Sequence, residues 1–228
     1  MKYEIFGENL PAVTINLDNG ESIYTQSGGM TWMSAELTME TNMKGGLMGG
    51  LSRWLSNESV FIATYTATGE GQFITCASTL PGNIVKLDAA NGPYICQKSA
   101  FLCAQSDVKL EIYAIPGIKA GLFGGDGWIF QEISGSGLAF LEIDGSVKEI
   151  DLAPGQKLKV DTGNVAVFEK SVKYSVERVK GFVNILFGGE GLFLTTVEGP
   201  GKVWLQTMTA PSFAAKLVPF MPFKKNDD

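Results

Sequence analysis

Three sets of side chains in this sequence have types that could do chemistry. Cys76, Cys96 and Cys103 are the only thiols. Glu58, Asp126 and Glu190 flank glycine-rich apolar segments, and Asp18, Asp88 and Asp161 each close a stretch of alternating character. Paired carboxylates run hydrolysis when their surroundings split their pKa values, and converging carboxylates suit a hard cation. A thiol becomes a nucleophile when it is exposed beside basic groups. The chain has no histidine. That removes Ser-His-Asp and Cys-His catalysis, and it leaves only three scattered thiols as soft ligands for zinc, copper or iron. The expectation is no catalytic set, no metal and no cofactor.

Each set also has a plainer reading. An Asp at the end of a strand makes an Asx turn. An acid beside a glycine pair is a common turn residue. A free Cys among apolar neighbours is a small buried hydrophobe. Gly69/Gly71, Gly135/Gly137 and Gly199/Gly201 have the spacing of phosphate-loop glycines. Such a loop needs a following helix N-terminus, and here an apolar strand-like run follows each pair. Bulges or tight turns are expected there instead.

The elements that position these residues are strands. Of 228 residues, 45% are hydrophobic, 18% are charged and 28 are glycine. Val13 to Asp18, Val108 to Ile112 and Val172 to Glu177 alternate apolar and polar, so each has one buried and one wet face. Val60 to Ala63, Leu138 to Leu141 and Leu192 to Leu194 are apolar on both faces, as in strands between layers. Short helices are expected only over Leu47 to Leu55 and Ser212 to Leu217. The net charge is −6, which argues against a phosphate-backbone partner. Met1 to Gly7 has no secretory pattern, no apolar run is long enough for a spanning helix, and the cysteine count is odd. A cytoplasmic protein with free thiols is expected.

The sequence also repeats itself. Leu10-Pro11, Leu80-Pro81 and Ala153-Pro154 precede Leu17-Asp18, Leu87-Asp88 and Val160-Asp161 at equal distances. Ser27, Ser99 and Ser171 follow, each 72 residues from the last, and then the glycine pairs. This predicts a single compact β domain made of three repeats, roughly 1–79, 80–152 and 153–228, around a pseudo-threefold axis. Each repeat carries a Lys-led, glycine-rich apolar segment, starting at Lys44, Lys119 and Lys180. Large apolar groups on so flexible a backbone need covering. Met30, Trp32, Leu47, Met48, Leu51, Arg53, Trp54, Phe123, Phe182 and Phe187 are therefore the candidate contacts for a protein partner or a membrane surface.

Lys44 to Phe61 (KGGLMGGLSRWLSNESVF), Asp161 to Phe168 (DTGNVAVF), Gly188 to Leu192 (GGEGL) and Gly199 to Gln206 (GPGKVWLQ) resemble the altered-inheritance-of-mitochondria protein family, in its uncharacterised bacterial branch. The resemblance covers essentially the whole chain. Asn164 departs from it, standing where the family often has His. The resemblance implies a mainly β fold of β-sandwich or half-barrel units, similar to the tryptophan RNA-binding attenuator protein, and it implies no known enzyme activity.

The function expected is therefore non-catalytic binding or scaffolding through the apolar segments, with self-association. The alternative is an enzyme with a carboxylate site at Glu58, Asp126 and Glu190. Nucleic-acid binding by fold analogy comes third, and the acidic charge speaks against it.

Overall fold

The alternating runs and the doubly apolar run Leu138 to Leu141 become strands, as do the described parts of Val60 to Ala63 and Leu192 to Leu194. The computed structural model describes residues 1–26, 28–42, 62–115, 129–178 and 193–221, with nineteen strands among them. They are β1 (Lys2–Phe6), β2 (Ala12–Leu17), β3 (Ser22–Gln26), β4 (Met30–Met33), β5 (Thr38–Asn42), β6 (Ile62–Thr66) and β7 (Gln72–Ala77), then β8 (Gly82–Asp88), β9 (Tyr94–Gln97), β10 (Phe101–Gln105), β11 (Val108–Tyr113), β12 (Phe130–Gly135) and β13 (Leu138–Asp144). β14 (Val147–Leu152), β15 (Lys157–Asp161), β16 (Val165–Glu169), β17 (Lys173–Arg178), β18 (Phe193–Glu198) and β19 (Gly201–Gln206) follow, and then helix α1 (Ala210–Leu217). The helix expected near the C-terminus is α1. It is opened by a capping box between Thr209 and Ser212, which satisfies first-turn N–H groups. The helix expected at 47–55 lies outside the described residues.

All strand pairing is antiparallel, in four sheets. The first runs β1-β2-β7-β4 and the second β5-β6-β3-β10-β13-β8. The third runs β11-β12-β9-β16-β19-β14 and the fourth β15-β18-β17. Three apolar cores lie between them. Val13, Ile15 and Ile74 of the first sheet meet Ile23, Cys103 and Phe140 of the second. Phe101, Ala139 and Leu141 of the second meet Cys96, Ile133 and Val167 of the third. Ile95, Phe168 and Val203 of the third meet Tyr174 and Val197 of the fourth. β13 shows why its run is apolar on both faces: Phe140 points into one core and Leu141 into the next.

The glycine pairs sit where two strands turn back on each other, as expected. Gly71, Gly137 and Gly201 lie in the β6–β7, β12–β13 and β18–β19 connections or their edges, all with positive φ. The leading anchors agree only in part. Asp18 follows β2 and Asp88 ends β8, but Asp161 ends β15, with β14 already complete before Pro154. The third set of anchors thus marks a turn one strand later than the other two. Ser99 and Ser171 show the same shift, between β9 and β10 and between β16 and β17. Ser27 lies outside the described residues.

Candidate functional site

Of the ten candidate contacts, Met30 and Trp32 fall on β4; the other eight lie outside the described residues, as do Glu58, Asp126 and Glu190. β4 is an outer strand of the first sheet, paired among the described residues with β7 alone. A bulge between Met30 and Trp32 breaks its alternation. Met30 and Met33 pack against the first core, while Trp32 points out and keeps 48% of its surface exposed. Register places Trp32 opposite Thr75, Thr75 opposite Thr14, and Ala77 opposite Ala12, which faces Phe6. All share one face of the sheet by the two-residue period. The small residues between them leave room for the outer rings to lean together. Phe6, 39% exposed, and Trp32 reach a centroid separation of 6.4 Å across the sheet. A Thr14–Thr75 hydroxyl bond of 2.8 Å completes the floor. This aromatic pair stands beside the outer edge of β4, which no other described strand covers. Sequence reasoning found Trp32 through its residue type, but Phe6 was missed because its partner lies across two intervening strands.

A shallow cleft of about 250 Å³ opens beside β11 and the β16–β17 turn. Tyr113, Ile115, Phe168, Lys170, Lys173 and Tyr174 line it. Lys170 lies 5.8 Å from the Tyr113 ring centre and 2.7 Å from Glu132 Oε2. Lys173 lies 3.5 Å from Glu198 Oε1. Both ammonium groups are therefore already compensated by carboxylates of the chain itself. Burial pushes the Tyr174 hydroxyl up to about 12, opposed by its bond with Thr195. No sequence signal marked this cleft, because its walls come from two stretches more than fifty residues apart.

The acids make turns and links. Asp88 accepts from Ala90 N at 3.0 Å and Asp161 from Gly163 N at 3.4 Å, as Asx turns require. At Asp18 the turn is closed by its backbone instead, its N–H donating to Glu21 Oε2 at 3.0 Å. Burial raises the carboxyls of Glu142 and Asp144 on β13. Glu142 accepts from Thr79 N at 2.8 Å, tying the β7–β8 turn to the second sheet. Asn164 donates to Gln206 O at 2.7 Å, and Gln97 and Gln206 both donate to Gly163 O, at 3.2 and 2.8 Å. That buried amide cluster gives the DTGN and GPGKVWLQ motifs a structural role. Among the described residues, no group of three Cys, Asp or Glu gathers as metal ligands would.

All three thiols are free and fully buried. Burial pushes Cys96 up to about 12. Burial and a hydrogen bond with Cys76 raise Cys103 as well. A neutral, buried thiol is a poor nucleophile. We expect iodoacetamide at pH 8 to leave the native protein unmodified and to label all three thiols once urea unfolds it, read by intact mass. The raised pKa also couples to stability. The unfolded thiol loses its proton near pH 9.0 and the folded one near 12. The stabilisation is therefore complete below pH 9 and declines as pH rises toward 12, by up to about 1.4 kcal/mol per pH unit from Cys96. Urea unfolding at pH 8.5 and 10.5 measures the slope, and Cys96→Ala should flatten it.

A family model described as "Mitochondrial biogenesis AIM24" matches residues 3–208. An uncharacterized protein of Streptococcus pyogenes serotype M6 is 29% identical over 224 residues, covering 95% of this chain and 89% of that protein. An X-ray structure of a Streptococcus pyogenes protein solved by a structural genomics consortium superposes with a TM-score of 0.77 at 26% identity. The match covers 96% of this chain and 99% of that one.

Proposed function

The chain belongs to the mitochondrial biogenesis AIM24 family, and from that premise we propose that it is a non-catalytic binding protein or scaffold whose partner is a protein. The observation that carries this reading is the exposed Phe6–Trp32 pair beside the outer edge of β4. Paired exposed aromatics on a flat sheet are the side chains that anchor protein interfaces. The Lys-led apolar segments extend the same chemistry in sequence. The acidic balance, −6 overall, speaks against nucleic acid. Three free thiols favour a reducing compartment, and we place the protein in the cytoplasm. No helix among the described residues is long and apolar enough to cross a membrane.

The test is a double variant, Phe6→Ser with Trp32→Ser. Both side chains are partly exposed, so thermal unfolding should shift little. Association should fall steeply, read by light scattering across a concentration series. Flotation with phosphatidylcholine–phosphatidylglycerol vesicles separates the rival. Loss of vesicle binding with unchanged scattering would assign the face to a membrane. If neither readout changes, this face is not the site.

A further inference from the structure

The strand pairings contain one scheme used three times. Counting six strands from β2, from β8 and from β14, the first pairs with the sixth, the sixth with the third, the second with the fifth and the fifth with the fourth. Even the irregularity recurs. Each third strand has its register shift at the same place, between Met30 and Trp32, Phe101 and Cys103, and Val165 and Val167. A bulge kept at one place is a designed feature of a unit.

Neighbouring units are joined in one way. The second strand of a unit pairs with the third strand of the next: β3 with β10, and β9 with β16. At the first joint Cys103 stands opposite Thr25 and Ala104 opposite Tyr24. At the second joint Val167 stands opposite Cys96 and Phe168 opposite Ile95. A glutamine crosses each joint to the turn before the third strand. Gln26 donates to Lys98 O and Gln97 to Gly163 O, both at 3.2 Å.

Two strands of this scheme are left over. Among the described residues, β4 is a third strand with no second strand beside it, and β15 is a second strand with no third strand beside it. They do not pair with each other within the chain. The bulge makes Trp32 the counterpart of Cys103 and Val167. Those two are 0% exposed, whereas Trp32 is 48% exposed.

We propose that β15 of one copy adds to β4 of another, making between chains the joint that is made twice within each chain. This rests on the reading above of the Phe6–Trp32 surface as a binding face, and it names the partner as a second copy. The repeated register fixes the contact: Trp32 opposite Val160 and Met33 opposite Lys159. An edge strand with free N–H and C=O groups is a template for such addition. Edge lysines can block it, but Lys157 and Lys159 are paired with Glu198 and Glu177 of their own sheet. Because the two edges differ, the contact is head-to-tail. It closes into a ring or runs on as a filament according to the turn per copy.

Met33→Cys and Lys159→Cys, made in separate chains, test the register, since Cys76, Cys96 and Cys103 are buried and silent. Mixed and mildly oxidised, they should give a disulfide-linked dimer. Its yield should exceed that of either variant alone, or of Met33→Cys mixed with the exposed control Lys148→Cys, by about tenfold, as docking raises the effective concentration of the thiols. Light scattering should show a mass rising above the 24.5 kDa chain with concentration, and Trp32→Lys should abolish the rise. A mixture that crosslinks no better than the control overturns the proposal. So does a doubly substituted chain that closes on itself as a monomer. If crosslinking fails while Phe6→Ser/Trp32→Ser still weakens self-association, copies meet at this face by another contact, and the β15–β4 joint proposed here is wrong while the reading of the face as a binding surface stands.

Discussion

Phe140→Ala should lower the free energy of unfolding by about 3–5 kcal/mol, the range for emptying a fully buried Phe site. Phe140 is among the largest side chains with no exposed surface. It stands on β13, flanked by β10 and β8 in the second sheet, and points into the core shared with the first. Tyr3 packs edge-on against it at 5.2 Å. Truncation removes the floor under Tyr3 while rigid strands on both sides limit collapse into the void, so the cost belongs at the upper end. Urea unfolding should show a lower midpoint at an unchanged slope. Ile5→Ala is the matched comparison. Ile5 is 39% exposed on β1, and its loss should cost about 1 kcal/mol or less, in line with partly exposed sites. Equal effects at the two positions would show that the first and second sheets do not share a well-packed core.

Gly201→Ala should cost about 2–4 kcal/mol, combining left-handed strain with overpacking. Gly201 has φ +134, a conformation that only glycine adopts freely. A Cβ there would lie 2.6 Å from Ser171 Oγ and 2.9 Å from Val172 Cγ2. It would also press on Glu169 Oε2 at 3.0 Å, the acceptor for Lys202 N. Gly20→Ala separates the two causes. Gly20 has φ +84 but nothing within 4 Å of its Cβ position, so it carries the strain alone and should cost about 1 kcal/mol. A similar loss at both positions would mean that crowding at Gly201 relaxes freely.

The strands that could be read from the sequence are those whose own residues carry the signal. β2, β11 and β17 alternate, and β13 is apolar on both faces, because each strand's burial is imposed along its whole length. The glycine pairs were legible for the same local reason. Their conformation is a property of the turn itself. The thiols were read as buried from their apolar neighbours, and they are. What could not be read depends on pairing across distance. β4 and β9 have four residues each, too few for a period to show. The third set of anchors matched by spacing but marks another turn, since a Pro and an Asp suit any strand junction. Phe6 became a site residue only when register brought it across β2 and β7 to Trp32.

The crossed pairing of first with sixth strand, and of second strand with the next unit's third, also sets the order in which the molecule can assemble on the ribosome. β2 has only β1 beside it until β7 is made, and β3 keeps one edge bare until β10 has left the exit tunnel. Synthesis therefore carries an unfinished sheet edge forward twice. Partners this distant along the chain are slow to find, and each wait leaves an edge that a neighbouring nascent chain can join in place of the chain's own next strand.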